Sequence, residues 1–267
     1  MTLDALLKSG RPFVLPGAYD ALSAKIAARA GAQAVYMTGF GVVGASFGVP
    51  DIGLIGPEAM AERATAMAAA IAPVPLVADG DNGHGGPANV ARLVRAYERG
   101  GAEAIQIEDQ VSPKRCGHMD GKEVVPFADA VAKIRAAVEA RGSTTFKIVA
   151  RTDARATHGL DEALRRADAF AKAGADVLFV EAARDEAELV RIAKEFAGIP
   201  TLANMVEDGK TPYLAPDALF AMGYRIVLLP ISALLAVANT LERVYGGQPH
   251  DRTGFAHYNE IVGLADY

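Results

Sequence analysis

Residues 100–109 read GGAEAIQIED, and the order of these residue types predicts the architecture of the chain. A pair of glycines ends a helix, a short link comes next, and an apolar strand then runs into two acids. The same layout returns as AGAQAVYMTG at 30–39, AGADVLFVEA at 173–182 and MGYRIVLLPI at 222–231. Glycine is favoured just after a helix because it adopts a left-handed backbone conformation there without penalty. The repeat therefore predicts helices that alternate with strands.

Eight short apolar runs have the residue types of buried strands, because they are apolar on successive positions and suit a sheet covered on both faces. They begin at Phe13, Val35, Pro75, Ala104, Phe146, Val177, Thr201 and Arg225. The first and last starts lie 212 residues apart, or about 30 residues per unit, the length of one strand-helix unit. We predict a single domain over residues 1–267, a (β/α)8 TIM-type barrel; an open doubly wound sheet is the alternative.

Composition excludes several classes of protein. Of the 267 residues 51% are hydrophobic and the net charge is −5, with no run of Lys or Arg suited to tracking phosphates, so we expect no nucleic-acid partner. The start lacks the pattern of a signal peptide. The most apolar segment, 226–238, is too short for a bilayer, which takes about 20 apolar residues. We expect no membrane partner. The single cysteine, Cys116, forms no internal disulfide and suits a reducing cytoplasm.

Polar side chains recur where the predicted strands end. In a barrel these positions converge on one mouth, where the catalytic residues of this fold are found. The residues are Tyr36, Thr38, Asp79, Asp81, Glu108, Asp109, Arg151, Asp153, Glu181 and Asn204. An acid after a strand is often only a helix N-cap, and we assign that role to Asp153 and Asp161. N-caps do not explain the remaining charges, because crowded carboxylates repel one another unless a cation lies among them.

The expected cation is Mg²⁺, or Mn²⁺ in its place. Asp79 and Asp81 are two positions apart and point to the same side of their strand. Glu108 lies on the neighbouring strand, and Asp51 lies in the loop after the second strand. These ligands are all oxygen, which suits a hard divalent cation, and no spacing in the chain suits zinc.

Two glycine-rich stretches suggest other ligands. GFGVVG at 39–44 matches the dinucleotide fingerprint, but no clear helix comes after it to receive a pyrophosphate. GDNGHGGP at 80–87 lacks the Lys-Ser/Thr ending of a phosphate-binding loop. We interpret the second stretch as a loop that wraps the metal site, with His84 near its tip as a loop or substrate contact.

The stretch after the fourth strand, from Asp109 to about Pro126, is longer than the usual connection of about two to six residues. It contains KRCGHMDGK at 114–122. Structural cysteines are usually buried among apolar neighbours, whereas cations beside Cys116 favour the reactive thiolate. Long loops at a barrel mouth are often lids, so we predict a functional thiol on such a loop.

Several motifs together resemble one known family. They are YMTG at 36–39, VADGD at 77–81, IED at 107–109, KRCGH at 114–118, ARTD at 150–153 and VEA at 180–182. In order and spacing they are similar to the isocitrate lyase/phosphoenolpyruvate mutase superfamily, closest to its dimethylmalate lyase and methylisocitrate lyase-like branch. The resemblance covers nearly the whole chain and implies a Mg²⁺-dependent barrel that acts on small carboxylates. It also implies a homotetramer in which paired subunits exchange a C-terminal helix, here the segment Ser232–Val244 together with the residues after it.

The resemblance implies a role for each matching residue. Asp79 would bind Mg²⁺ directly, and Asp51, Asp81 and Glu108 would hold it through water. Cys116 would protonate the leaving fragment from a gating loop, and Arg151 would neutralise charge on the substrate. Tyr36 would be the third catalytic residue and would help to complete the pocket. Substrate contacts would come from Thr38, Gly39, Phe40, Gly117, His118, Glu181 and Asn204.

Two positions depart from the methylisocitrate lyase pattern. Met119 stands where an arginine is expected, and His84 stands where many relatives have an aromatic residue. The implied reaction is cleavage of a substituted 2-hydroxy dicarboxylate to pyruvate or another 2-oxo acid. Oxaloacetate hydrolysis or decarboxylation and a carboxyphosphoenolpyruvate mutase-like activity are alternatives, and a non-catalytic anion-binding barrel is a distant one. A Schiff-base aldolase is disfavoured, because Lys147, the one lysine in the eight runs, lies far from the mouth.

Overall fold

The computed structural model describes residues 1–114 and 121–249, together with His257 and Ile261. Eight parallel strands form a closed barrel in chain order, and β1 pairs with β8 to complete it. The strands are β1 (Phe13–Ala18), β2 (Val35–Met37), β3 (Leu76–Asp79), β4 (Ala104–Glu108), β5 (Lys147–Thr152), β6 (Val177–Val180), β7 (Thr201–Asn204) and β8 (Ile226–Leu229). The prediction of a (β/α)8 barrel is confirmed, and the open-sheet alternative is wrong.

Helices alternate with the strands and cover the outside of the barrel. They are α1 (Leu3–Lys8), α2 (Ala21–Arg29), α3 (Gly39–Phe47), α4 (Pro57–Ile71), α5 (Pro87–Arg99), α6 (Phe127–Ala140), α7 (Ala154–His158), α8 (Leu160–Lys172), α9 (Glu186–Glu195), α10 (Pro216–Met222) and α11 (Ser232–Tyr245). No helix of the described residues is long and apolar enough to cross a bilayer.

Two hydrophobic clusters form the core. The larger one lies between the sheet and the outer helices, and the smaller one fills the barrel interior. Leu3 and Leu6 of α1 belong to the interior cluster and lie at its amino-terminal end. At that same end Lys147 pairs with Asp4 at 2.8 Å, as its early position in β5 predicted. The amino-terminal end of the barrel is therefore closed, and the carboxyl ends of the strands form the open mouth.

The last helix is an exception to the packing of the other long helices. None of the residues of α11 is buried, although Leu235, Val237, Leu241 and Tyr245 are large and hydrophobic. An apolar groove lies between α2 and α10 over β1, lined by residues that include Phe13, Ala27 and Phe220. An eighth outer helix of a closed barrel would lie in this position.

Candidate active site

The mouth of the barrel holds a pocket in which most of the predicted polar residues meet, although Asp81, Asp109 and Asp153 do not line it. Strands β2 to β7 each supply at least one side chain to it or to the loop beside it, because the carboxyl ends of parallel strands lie at one edge. The lining residues are Tyr36, Thr38, Phe40, Asp51, Asp79, Glu108, Lys114, Arg151, Phe179, Glu181, Asn204, Val206, Leu228, Pro230 and Ile231. The site thus combines a group of carboxylates and cations with an apolar wall.

Asp79 ends β3 and lies at the centre of the carboxylates. Its Oδ1 accepts from the Asp81 amide at 3.0 Å and from Gln106 Nε2 at 3.3 Å, and its Oδ2 accepts from the Gly39 amide at 3.2 Å. A Cβ at Gly39 would lie 2.7 Å from Oδ2, so the close approach requires glycine. Burial, helped by the charge of Asp81, raises the pKa of Asp79 to about 6.

Lys114 lies among these carboxylates, which the sequence did not indicate. Its ammonium is 2.6 Å from Asp51 Oδ1, 2.7 Å from Asp51 Oδ2 and 2.7 Å from Asp81 Oδ1. Burial alone would lower the pKa of Lys114, but Asp81 and Asp51 hold it well above its usual value. The lysine thus neutralises part of the negative charge that, according to the sequence analysis, a metal ion would balance.

The donor atoms fit a hard divalent cation by their chemistry. Every predicted ligand is a carboxylate, and Glu108 Oε1 is buried without a hydrogen-bond partner in the described part of the chain. Burial raises the pKa of Glu108 well above its usual value. Within the described ranges no three such side chains form a ready-made metal cluster. Asp51 and Asp81 lie instead around the ammonium of Lys114.

Arg151 crosses the mouth from β5. Its Nε and Nη2 donate to the two oxygens of Asp153 at 2.8 and 3.0 Å, and the guanidinium also lies 3.4 Å from Glu108 and 3.5 Å from Glu181. Burial opposes the charge, but Asp153 and the other two acids hold the pKa of Arg151 well above its usual value. The guanidinium carbon lies 5.1 Å from the ring centre of Phe179.

The assignment of Asp153 and Asp161 as side-chain caps is wrong, although Asp153 occupies the N-cap position of α7. The Asp153 side chain makes no capping hydrogen bond to α7; it binds Arg151 and accepts from Lys122 Nζ at 2.9 Å. Asp161 lies in the first turn of α8, whose N-cap position is Gly159, and it pairs with Arg191. A buried ion pair and a cap can both place an acid directly after a strand, so the sequence pattern did not distinguish them at Asp153.

The remaining predicted pocket residues pair with one another. Tyr36 donates its hydroxyl to Gln106 Oε1 at 2.9 Å, and burial raises its pKa well above the usual value. Asn204 Nδ2 donates to Glu181 Oε2 at 3.0 Å, which leaves the buried Asn204 Oδ1 without a hydrogen-bond partner among the described residues. This oxygen is available to a ligand.

The stretch 38–40 begins a helix, contrary to the sequence analysis, which found no clear helix beside GFGVVG. The Thr38 hydroxyl accepts from the Gly41 amide at 3.4 Å as the N-cap of α3, and the Gly39 amide is engaged by Asp79. Phe40 lines the pocket in the first turn of α3. The glycines therefore serve a helix and its close approach to Asp79.

The loop at 80–87 lies against the carboxylates, as predicted. His84 Nε2 is 3.7 Å from Asp81 Oδ2, and burial lowers the pKa of His84. Asn82 links this loop to the next one, because its Nδ2 donates to Val111 O at 3.0 Å and to Ser112 Oγ at 2.8 Å.

Cys116, Gly117 and His118 lie outside the described residues. The chain on either side is well fixed: Gln110 pairs with Val124 in an antiparallel bridge. Lys114 and Lys122 are both buried, and each pairs with carboxylates of the mouth. Neither lysine was singled out as a site residue, because a lysine in a polar loop carries no sequence signal of burial.

A closed (β/α)8 barrel whose mouth combines buried carboxylates with an arginine has the kind of site that enzymes of this fold carry. The chain belongs to the phosphoenolpyruvate phosphomutase family, because the sequence model of that family matches residues 3–246. It is 44% identical to 2,3-dimethylmalate lyase from Eubacterium barkeri, over 97% of this chain and 92% of the relative. It is 43% identical to 2-methylisocitrate lyase from Bacillus subtilis (strain 168), over 87% and 75% of the two chains.

Solved structures show the same likeness. Oxaloacetate acetylhydrolase with the inhibitor 3,3-difluorooxalacetate superposes with a TM-score of 0.93 at 35% identity, covering 99% of this chain and 93% of that one. Phosphonopyruvate hydrolase with oxalate and Mg²⁺ has a TM-score of 0.84 at 30% identity, covering 100% and 96%. The family resemblance expected from the motifs is confirmed.

Proposed function

We propose that this protein is a divalent-cation-dependent carbon–carbon lyase. It cleaves a substituted 2-hydroxy dicarboxylate, such as 2,3-dimethylmalate or a 2-methylisocitrate-like compound, to pyruvate or another 2-oxo acid and a carboxylate. The observation that carries the proposal is the pairing of Arg151 with a buried group of carboxylates in one pocket. The similarity to lyases over nearly the whole chain supports it.

Asp79 would hold the cation directly, with Asp51, Asp81 and Glu108 around it. Mg²⁺ is the expected ion and Mn²⁺ a substitute, since the donors are all oxygen and a related hydrolase was solved with Mg²⁺. Bound there, the cation would offset negative charge on the substrate oxygens as the bond breaks. The ion pairs of Lys114 with Asp51 and Asp81 would have to accommodate it.

In the proposed reaction the substrate hydroxyl gives its proton to solvent, and its oxygen becomes the carbonyl of the 2-oxo acid. The electron pair of the broken carbon–carbon bond passes to the carboxylate fragment, whose carbon takes a proton from the thiol of Cys116, and the thiolate then regains a proton from solvent. Arg151 would stabilise the charge that grows on the substrate oxygens. Tyr36, Glu181 and Asn204 would complete the pocket, and Phe40 with Thr38 and Gly39 would place the helix α3 N-terminus at a substrate carboxylate. Gly117 and His118 would bind the second carboxylate.

The apolar wall favours a substrate with alkyl substituents. Phe179, Val206, Leu228, Pro230 and Ile231 line one side of the pocket. A methyl group buried against such a surface contributes about 0.8 kcal/mol. Met119 stands in place of the arginine expected for methylisocitrate lyases, so a third carboxylate of a substrate would lack that cation. This difference also favours a dicarboxylate with alkyl substituents.

Oxaloacetate hydrolysis is the second candidate, because a solved oxaloacetate acetylhydrolase has a closely similar fold. Decarboxylation of oxaloacetate and a carboxyphosphoenolpyruvate mutase-like activity are further members of the same group of alternatives. A barrel that only binds anions is the least supported alternative, since the carboxylates and Arg151 are all present.

A release assay for 2-oxo acids would test these candidates. The panel contains 2,3-dimethylmalate, 2-methylisocitrate, isocitrate, citramalate and oxaloacetate, each with Mg²⁺ and with EDTA. We expect pyruvate from a methyl-substituted hydroxy acid, abolished by EDTA. Turnover of oxaloacetate alone would assign the hydrolase or decarboxylase reaction, which acetate and pyruvate as products distinguish. No turnover of any compound would contradict the lyase assignment.

The exposed apolar helix supports a proposal about assembly. Helix α11 leaves its hydrophobic residues uncovered, and the groove beside α2 has the place of a missing outer helix. The occupant that fits this groove is α11 of a second copy, exchanged between paired subunits of a homotetramer.

We retain the single domain over residues 1–267 and the cytoplasmic location as predictions.

A further inference from the structure

Asp153 is an acid that the proposed reaction does not use. Its side chain is fully buried, and it does not line the pocket. Its backbone amide donates to Asp109 Oδ1 at 2.9 Å, and Asp109 in turn pairs with Arg166 at 3.0 Å. The position of Asp153 is therefore fixed from behind by a second buried ion pair.

Asp153 holds Arg151 by two parallel hydrogen bonds. Such a bidentate pair fixes the plane of a guanidinium as well as its distance. The other acids near Arg151, Glu108 and Glu181, lie farther away and line the pocket. Nη1 of Arg151 makes no hydrogen bond within the described part of the chain, so this edge of the guanidinium is available to a ligand.

The same carboxylate also binds Lys122. Oδ1 of Asp153 accepts from Lys122 Nζ at 2.9 Å and from Arg151 Nη2 at 3.0 Å, so one oxygen joins two buried cations. Lys122 comes six positions after Cys116 in the sequence. The backbone beside it is fixed as well, because the Val111 amide donates to Glu123 O at 3.1 Å.

We propose that Asp153 is a positioning residue that orients Arg151 towards the substrate and couples Lys122 to it. The inference rests on the proposed function, since it assigns Arg151 to the substrate oxygens and Cys116 to the proton transfer. Removing the bidentate contact turns the guanidinium without removing its charge. Small displacements of a positioned group of this kind reduce turnover by about 100-fold.

Asp153→Asn tests the orientation of Arg151 by two readouts. We expect kcat to fall by about 100-fold and the Kd for oxalate, measured by calorimetry with Mg²⁺, to rise at least tenfold. The matched control is Glu188→Gln, which removes another carboxylate with two bonds to an arginine, Arg155, outside the pocket. Both substitutions are expected to lower the melting temperature, but Glu188→Gln should change kcat and the oxalate Kd by less than about twofold.

The link to Lys122 is tested by a double-mutant cycle. Lys122→Met alone should lower kcat about tenfold, and in the Asp153→Asn background it should lower kcat by less than about twofold. Two effects that multiply would show that the lysine acts independently of Asp153 and would overturn the link. Values of kcat and oxalate Kd for Asp153→Asn within threefold of wild type would overturn the positioning role.

Two further arms keep the outcome decisive. Asp153→Glu keeps the charge but moves the carboxylate oxygens by one methylene, and it serves as the test if Asp153→Asn does not fold. A tenfold loss of kcat in folded Asp153→Glu would support the proposal. Wild-type kcat and oxalate affinity in this variant would contradict it. Oxalate binding requires no turnover. A wild-type protein that cleaves none of the panel would therefore refute the proposed function, while the oxalate comparison still decides the role of Asp153.

Discussion

Cys116 is the one cysteine of the chain, so its chemistry can be tested without interference from other thiols. Cys116→Ser replaces the thiol by a much weaker acid of similar size. Because proton transfer by a positioned side chain contributes about 100- to 10,000-fold to a rate, we expect kcat to fall by at least 100-fold. Calorimetry should show unchanged binding of oxalate with Mg²⁺. Near-wild-type turnover would remove the thiol from the reaction.

In the proposed metal site Lys114 would compete with a divalent cation for the carboxylates of Asp51 and Asp81. Lys114→Met removes a unit charge from beside Asp51 and Asp81, and a nearby like charge opposes the binding of a cation. We expect the affinity for Mn²⁺, measured by calorimetry on protein freed of metal, to increase at least tenfold. Lys172→Met is the control for net charge, because that lysine is 75% exposed and pairs with Asp168 of its own helix. An affinity that falls or stays the same would contradict the competition.

The free energy of unfolding should depend on pH through the ionisation of Asp153. Burial would raise its pKa, but Arg151 and Lys122 more than offset this and hold the pKa well below its usual value. The group therefore stabilises the fold above about pH 4, and this contribution is lost as the pH falls below about 4, by up to about 1.4 kcal/mol per pH unit. Urea unfolding of wild type and Asp153→Asn between pH 5 and 3 should show a steeper loss in wild type. Parallel curves would contradict the shift.

The site residues at the carboxyl ends of the strands were predictable, because an apolar run followed directly by a charged residue is a clear sequence pattern. Asp79, Glu108, Arg151 and Glu181 were found in this way. Lys114 and Lys122 were not, since their burial depends on how a long loop folds back on the barrel. Asp153 was found but misread, because its partners come from distant parts of the chain.

At the scale of elements, the eight strands and most helices could be predicted from periodicity and glycine positions. Helix α3 was missed because three of its nine residues are glycines, and a glycine inside a helix weakens it by about 1 kcal/mol. Its start combines a local cap by Thr38 with a long-range contact between the Gly39 amide and Asp79, and the local sequence does not show the second.

Helix α11 allows a test of the proposed exchange. Leu241→Lys places a charge on its exposed apolar face, and burial of an unpaired charge in an interface is costly. We expect light scattering after gel filtration to show a smaller assembly. The control is Asn239→Lys, on the opposite face of the same helix. If both variants keep the mass of wild type, or both lose it, the apolar face is not the contact.

For the molecule as a whole, ligand binding at the mouth should be visible as stability. A ligand at 100 times its Kd stabilises the folded state by about 2.7 kcal/mol, which raises the melting temperature of a protein of this size by about 5 to 10 °C. We expect this shift with Mg²⁺ and oxalate together, and its reversal by EDTA. Oxalate that stabilises the protein equally with EDTA would show that anion binding does not involve a divalent cation.

The closed amino-terminal end of the barrel has a consequence for the order of events. Leu3 and Leu6 seal the interior below the pocket, so within the described part of the chain a ligand enters and departs through the mouth alone. The two products of the proposed cleavage would then share a single exit. The fragment nearer the solvent would leave first, and the 2-oxo acid, held between Arg151 and the carboxylates, would leave last. In the reverse direction the 2-oxo acid would have to enter before its partner, so the closed end of the barrel would set the order of binding.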